Sequence, residues 1–315
     1  MHRIAASAAL AWAAAVASAQ EFPTKPIRIV ASEPGGGQDF IARLLAQGIA
    51  APLGQSVIVE NRPGADSTIA TELGAKAAPD GHTLITVTNA HVITPFQRKL
   101  PYDPVKSFTP IAQIGIGPSV IAVTPSLPVN SVRQLINMAK ARPGQLHYAS
   151  AGIGGVNHFA GELFKLATQT DIVHVPYKGG GQMVIAVISG EGQVMFSPVS
   201  TAVPHGKTGK LRLLGVSSAA RIASLPDVPT IAETIKGYEY GGWQGLLAPA
   251  GTPVDIINRL HAGVLKVIAT PEFRDYAAGE GSDIVGSTPD WFAQFLKSEV
   301  GKNATLVKAA GIKPE

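Results

Sequence analysis

Two stretches of this 315-residue chain put glycine where backbone groups can do chemistry. In "ASEPGGGQDF" (Ala31–Phe40), three glycines separate a proline from Gln38 and Asp39, directly after an apolar run. In "SAGIGGVNH" (Ser150–His158), Gly152, Gly154 and Gly155 stand between a strand pattern and a helix pattern. Ordering residues without a Cβ costs backbone entropy, so they suit places where the chain bends tightly or something approaches it closely. The first turn of a helix carries unsatisfied N–H groups and about half a positive charge. A glycine loop leading into that turn lets an anion reach those amides unobstructed. Neither stretch contains Lys or Arg, so the chemistry predicted is an anion held by amide dipoles and hydroxyls. The candidates are Ser32, Gly36, Gly37, Gln38 and Asp39 in the first loop, and Ser150, Ala151, Gly152, Gly154, Gly155 and His158 in the second. Two further strand ends, Pro176–Gln182 with "KGGG" and Ser197–Thr201, occupy equivalent positions and add Ser197. On spacing alone, each loop could equally be a tight connection, and Asp39 a helix cap.

Other chemistries lack their parts. "GKT" (Gly206–Thr208) has Thr201 where a phosphate loop needs its first glycine, and "GIGGVN" lacks the third glycine of the dinucleotide fingerprint. There is no G-x-S-x-G elbow and no H-E-x-x-H helix. His158 and Glu162 share a helix face and form a metal pair or an ordinary surface contact, with no third ligand clustered in sequence. Ser150 and His158 could serve as nucleophile and base of an exported α/β hydrolase, but no acidic partner accompanies them. No catalytic residue, metal or cofactor is expected.

The elements that must carry these loops follow from periodicity. "KPIRIVAS", "SVIVE" and "TLITVT" read as strands, alternating with helices from Asp39 and from Thr68, the first closed by Gly54. Strand alternating with helix points to a parallel sheet flanked by helices. The rhythm restarts with a helix capped by Ser131, strand "LHYAS", helix "FAGELFKLA", a strand ending "VHVPY", helix "QMVIAVIS", and strands "QVMFS" and "LRLLGVSS". Thr288-Pro289-Asp290 opens a last helix expected to return to the first unit. The fold class is therefore α/β with two lobes, residues 20–122 plus 220–315 and residues 123–219. Ser119–Thr124 and about Gly215–Ala219 would form a two-segment hinge.

Composition fits an exported globular protein. Apolar residues make up 45% and charged residues 15%, with a net charge of +4 and no like-charge block. This excludes a disordered chain and a nucleic-acid surface. A basic start, an Ala-rich run Ile4–Val16 too short to span a membrane, and "ASA" at Ala17–Ala19 predict a signal peptide cleaved after Ala19. With no cysteine in the chain, disulfides and thiolate sites are excluded, and a bacterial periplasm is the natural compartment. The mature protein is expected to be a monomer that is not membrane-embedded.

The chain also resembles the periplasmic solute-binding receptors of tripartite tricarboxylate transporters, the Bug or TctC family. Segments carrying the likeness include "PGGGQDFIARLLAQ", "VIVENRPGA", "KLPYDPVKSFTPI", "ARPGQLHYASAGIGG", "DIVHVPYKGG" and "GLLAPAGTP", spread over residues 23–313. The resemblance implies a type II-like two-lobe periplasmic binding fold that closes about a hinge on a small carboxylate. Ligand classes in view are di- and tricarboxylates, acidic amino acids and aromatic acids. The implied partners are membrane permease subunits, or alternatively a signalling partner. It places Gly36, Gly37 and Asp39 at one end of the ligand and Ser150, Gly152, Gly154 and His158 at the other, with Asp39 organising its loop. Ser32, Glu33, the Asp66–Thr68 turn, Ser197 and Gln244 depart from the family pattern. Ser197 is expected to meet a second polar group of the ligand.

Overall fold

The structure is a computed structural model that describes residues 22–35, 37–64, 67–309 and 311. The leader with its expected cleavage site, Gly36 and Asp66 lie outside the described residues.

The first unit opens as its periodicity dictates. Strand β1 (Ile27–Ala31) leads through the first glycine loop into helix α1 (Gly37–Leu53). Ile41, Leu45 and Ile49 recur every fourth residue and are almost wholly buried, and Gly54 ends the helix at φ 68°. Then come β2 (Val57–Asn61), α2 (Thr68–Ala75) and β3 (Thr83–Thr88), with β1 paired in parallel to both strands. A short helix α3 (Ala90–Ile93) and a 3₁₀ turn (Thr94–Phe96) follow.

Strand β4 (Phe108–Val123) was not expected as such; only its end was singled out, within the expected hinge segment Ser119–Thr124. It runs antiparallel to β9 (Gly241–Pro249) through Pro118, with two bulges, at Pro110/Ala112 and Gln113/Gly115. From Ser119 onward it pairs instead with β7 (Val194–Pro198) and β8 (Arg212–Val216). One strand thus belongs to two packing units. The second unit adds α4 (Val132–Ala141), β5 (Leu146–Ser150), α5 (Val156–Thr168), β6 (Ile172–Pro176), α6 (Gly180–Ser189) and α7 (Val199–Lys207). Ser131 caps α4 as expected, its hydroxyl accepting from the Gln134 amide. The chain finishes with α8 (Val254–Ile268), α9 (Pro271–Glu280), β10 (Asp283–Ile284) and α10 (Pro289–Ala309).

The strand order is β2-β1-β3-β9-β4-β7-β5-β6, with β8 and β10 also on β4. Parallel pairs lie towards the two ends, and every antiparallel pair involves β4 or β9. The result is a mixed, helix-flanked two-lobe α/β fold. Separate cores match it. Ile29, Leu45, Ile114, Leu246 and Leu260 cluster in the first unit, and Leu135, Tyr148, Phe159 and Phe196 in the second. Along β4, Ile121 and Val123 face that second cluster while Val120 and Ala122 face another, the period-2 alternation of a strand covered on both sides.

The passage between units is narrow. At Gly241 an added Cβ would stand 2.5 Å from the Gly117 carbonyl oxygen, so only glycine fits where the two crossing strands touch. Ser217 ties the crossing together: its amide donates to Ser119 O, and its hydroxyl accepts from the Ser119 amide and donates to Tyr240 O. Ile231, Tyr238 and Tyr240 pack in the second unit's core, as do Leu306 and Val307 of α10.

Candidate functional site

The first loop is built around Asp39. Its carboxylate accepts from the Gly35 amide at 2.9 Å, Arg43 Nε at 3.0 Å and Asn61 Nδ2 at 2.9 Å. Burial on its own would raise its pKa, but the donors from Arg43, Gly35 and Asn61 outweigh burial and hold it below the usual carboxylate value. With its oxygens so occupied and its side chain buried, Asp39 shapes the loop. Ser32 Oγ donates to Gln38 Oε1 at 2.6 Å, and Gln38 Nε2 donates to Thr88 Oγ1 at 3.3 Å, clamping the loop to the end of β3. Gly37 opens α1 beside Gln244, whose Nε2 would lie 3.4 Å from an added Cβ.

The second loop is fixed from beneath. Ser150 Oγ, fully buried, donates to Gly152 O, accepts from the Gly152 amide, and lies 2.6 Å from His174 Nε2. His158 Nδ1 accepts from the Gly154 amide at 2.9 Å, and its ring stacks on His174 with centroids 3.8 Å apart. Tyr148 stacks on His174 and donates to Glu162, which also binds Lys165. Ser150 therefore meets His174 and not His158. The Ser150–His158 nucleophile pair does not form.

Between the second loop and the segment that follows β3 lies a cleft of about 420 Å³, and Gln38 of the first loop reaches its wall at Thr88. Thr88, Thr94 and Gln97 line one wall, and residues 151–156, with the Gly155 cap of α5, line the other. No lining side chain is charged. Strand ends β1, β5, β6 and β7 deliver glycine, serine or proline turns into helices α1, α5, α6 and α7, the geometry in which helix N-termini receive an anion.

Residues 41–312 of the chain match the tripartite tricarboxylate transporter family receptor. The chain belongs to that family. The receptor is similar to an R. palustris protein solved with adipate, 33% identical over 94% of this chain and 100% of the other, TM-score 0.76. It is similar to MatC from Rhodopseudomonas palustris, solved with bound malate, 30% identical over 91% of this chain and 100% of the other, TM-score 0.72. It also resembles the periplasmic binding protein BugD, 30% identical over 93% of this chain and 100% of the other, TM-score 0.72. The fold is thus that of a periplasmic binding protein, and the family is one of receptors. Among the described residues no helix is long and apolar enough to cross a membrane.

The candidate residues fall into distinct places in this receptor. Ala151, Gly152, Gly154 and Gly155 line the cleft. Gln38, Asp39, Ser150 and His158 stand behind the loops as supports, and Ser32 holds Gln38. Ser197 is fully buried at the end of β7, its hydroxyl turned to Pro198 O. Glu33 accepts from the Gly64 amide and ties the first loop to the next turn. Thr88, Gln97 and His174 were not among the residues expected from sequence. His174 at least sits in the "VHVP" strand beside the flagged "KGGG" loop.

The histidine pair has a measurable consequence. Burial, aided by the Lys165 charge, holds His158 down to about 4, and burial with the His158 charge does the same to His174. The unfolded chain takes those protons near the ordinary value of about 6.5. Stability from this cluster is therefore complete above that value and is lost as pH falls toward about 4. Denaturant midpoints at neutral and mildly acid pH should separate, and His158→Gln/His174→Gln should reduce the separation. His91, also held to about 4 by burial, should retain a share. An unchanged separation in the double variant would contradict the assignment.

Proposed function

We propose that this receptor is a periplasmic solute-binding protein that takes a small dicarboxylate between its lobes and delivers it, unaltered, to membrane permease subunits of a tripartite transporter. The carrying observation is the cleft itself. None of its lining side chains is charged, the first turn of α5 opens into it, and the first glycine loop reaches its opposite wall through the Gln38–Thr88 hydrogen bond. Such a site binds anions through oriented amides, whose effect grows as closure removes water. The adipate and malate relatives support a dicarboxylate as the class.

The lobe exchange falls at Pro118/Ser119 on β4 and at Tyr240/Gly241 before β9. This gives lobes of residues 22–118 with 241–311, and 119–240. Ligand binding favours closure only to the extent that it binds the closed form better.

The test is titration calorimetry and native mass spectrometry with adipate, malate and their monocarboxylate homologues. One-to-one binding of an intact dicarboxylate is expected, with monocarboxylates weaker by about tenfold or more. Gly37→Val should cost about tenfold in affinity without changing the melting temperature, because Gly37 is exposed at the helix start. Chemical conversion of the ligand, or no binding across the panel, would defeat the proposal.

A further inference from the structure

We propose a second ligand site, for an organic cation, in the pocket behind the hinge. Its volume is about 440 Å³, and its walls come from both crossing strands and from α10. It lies on the face of β9 away from the carboxylate cleft: Gln244 lies beside Gly37, whereas its neighbour Trp243 turns its ring onto Phe292 and Phe295 of α10.

Aromatic faces dominate the pocket. Trp291 stacks on Phe295 at 5.2 Å and 12°, and Trp243 meets Phe295 edge-on at 5.5 Å and 87°. Tyr240 adds a fourth ring, and Lys302 Nζ already lies 4.9 Å over its centroid. The structure therefore holds one cation–π contact in this pocket.

Charge selects the same class of occupant. Glu239, Asp283 and Glu299 line the pocket against the single ammonium of Lys302. That ammonium is engaged by Glu299 Oε1 at 3.4 Å, by Glu239 O at 3.1 Å and by the Tyr240 face. Asp283 is held at the rim by the pairing of β10 with Ile116. An anion would meet excess carboxylate; a neutral ligand would gain nothing from it. A cation with an apolar or aromatic body would gain from both the rings and the carboxylates. Trp291 is 45% exposed, so the pocket is accessible.

The two tryptophans beyond the expected leader, Trp243 and Trp291, both line this pocket. Intrinsic fluorescence therefore reports on it directly. The probe is benzyldimethyl(2-hydroxyethyl)ammonium, compared with its neutral carbon isostere, 3,3-dimethyl-4-phenylbutan-1-ol, on the leaderless full chain. The cation should change tryptophan emission saturably with a dissociation constant of about 1 mM or below, and the isostere should bind at least about tenfold more weakly. By calorimetry, Trp291→Ala should weaken the cation by about tenfold and Asp283→Asn by about threefold, both leaving adipate binding unchanged. The cleft variant Gly37→Val should leave the cation's affinity intact, which separates this site from the carboxylate reading. Equal binding of cation and isostere, no saturable response up to about 10 mM, or an unaffected Trp291→Ala would overturn it.

Discussion

Gly154→Val is expected to lower dicarboxylate affinity by about 100-fold or more while the protein remains folded. Two separate effects act at this position. Gly154 has φ +77°, a region that costs a β-branched residue about 1–2 kcal/mol or more. An added Cβ would also lie 1.6 Å from Gln97 Nε2 and 2.8 Å from Gln97 Cδ, on the opposite wall of the cleft. The first effect distorts the loop whose amide is held by His158 Nδ1. The second obstructs the approach of the two walls. Gln97 is a flexible side chain and can swing aside, so the contributions are separable. In a Gln97→Ala background the Gly154→Val loss should shrink by several-fold but persist, since the backbone strain remains. Calorimetry on the four proteins measures the coupling, with thermal melts to confirm folding. Full additivity would mean that Gln97 and Gly154 do not meet across the cleft in solution.

The contrast between these residues and the rest explains what could be read from sequence. The first glycine loop, the Ser131 cap and "TLITVT" were legible because each is a local pattern: a periodicity, a cap at fixed offset, a turn after an apolar run. Strand β4 was not. Pro110 and Pro118 lie inside it with Gly115 and Gly117, and such residues ordinarily argue against a central strand. The fold absorbs the first part of that run in two bulges and uses the rest as the interlobe crossing. Strand β9 begins with Gly241 for the same reason, since backbone meets backbone there. The site divides in the same way. The glycines facing the cleft belong to local motifs, but their supports do not. His174 reaches Ser150 from 24 residues away, and Gln97 projects from a 3₁₀ turn that has no periodic signature. His158 was placed at the ligand by the family resemblance, and its spacing after the loop gives it a second task. That same spacing, four residues beyond Gly154, lets it turn back and hold the Gly154 amide.

The carboxylate of Asp39 provides the second large effect, and the direction of that effect discriminates between two physical roles. If Asp39 mainly placed a negative charge near the ligand, its removal would strengthen anion binding. The structure points the other way. Asp39 is 4% exposed and holds Gly35, Arg43 and Asn61 at 2.9–3.0 Å, so it sets the shape of the turn that presents the α1 amides. Asp39→Ala strands those donors at about 1–3 kcal/mol for each one that water cannot reach. The expected outcome is a stability loss of about 2–4 kcal/mol and a dicarboxylate affinity lowered by about 30-fold or more. Asp39→Asn should fall between the two, because an amide keeps one acceptor oxygen but turns an NH2 toward a donor. The pH dependence follows from the depressed pKa: the stabilisation is full above the ordinary carboxylate value and is lost as pH falls through the lower folded value. Tighter dicarboxylate binding by Asp39→Ala, at unchanged stability, would reverse the assignment and make the residue an electrostatic gate.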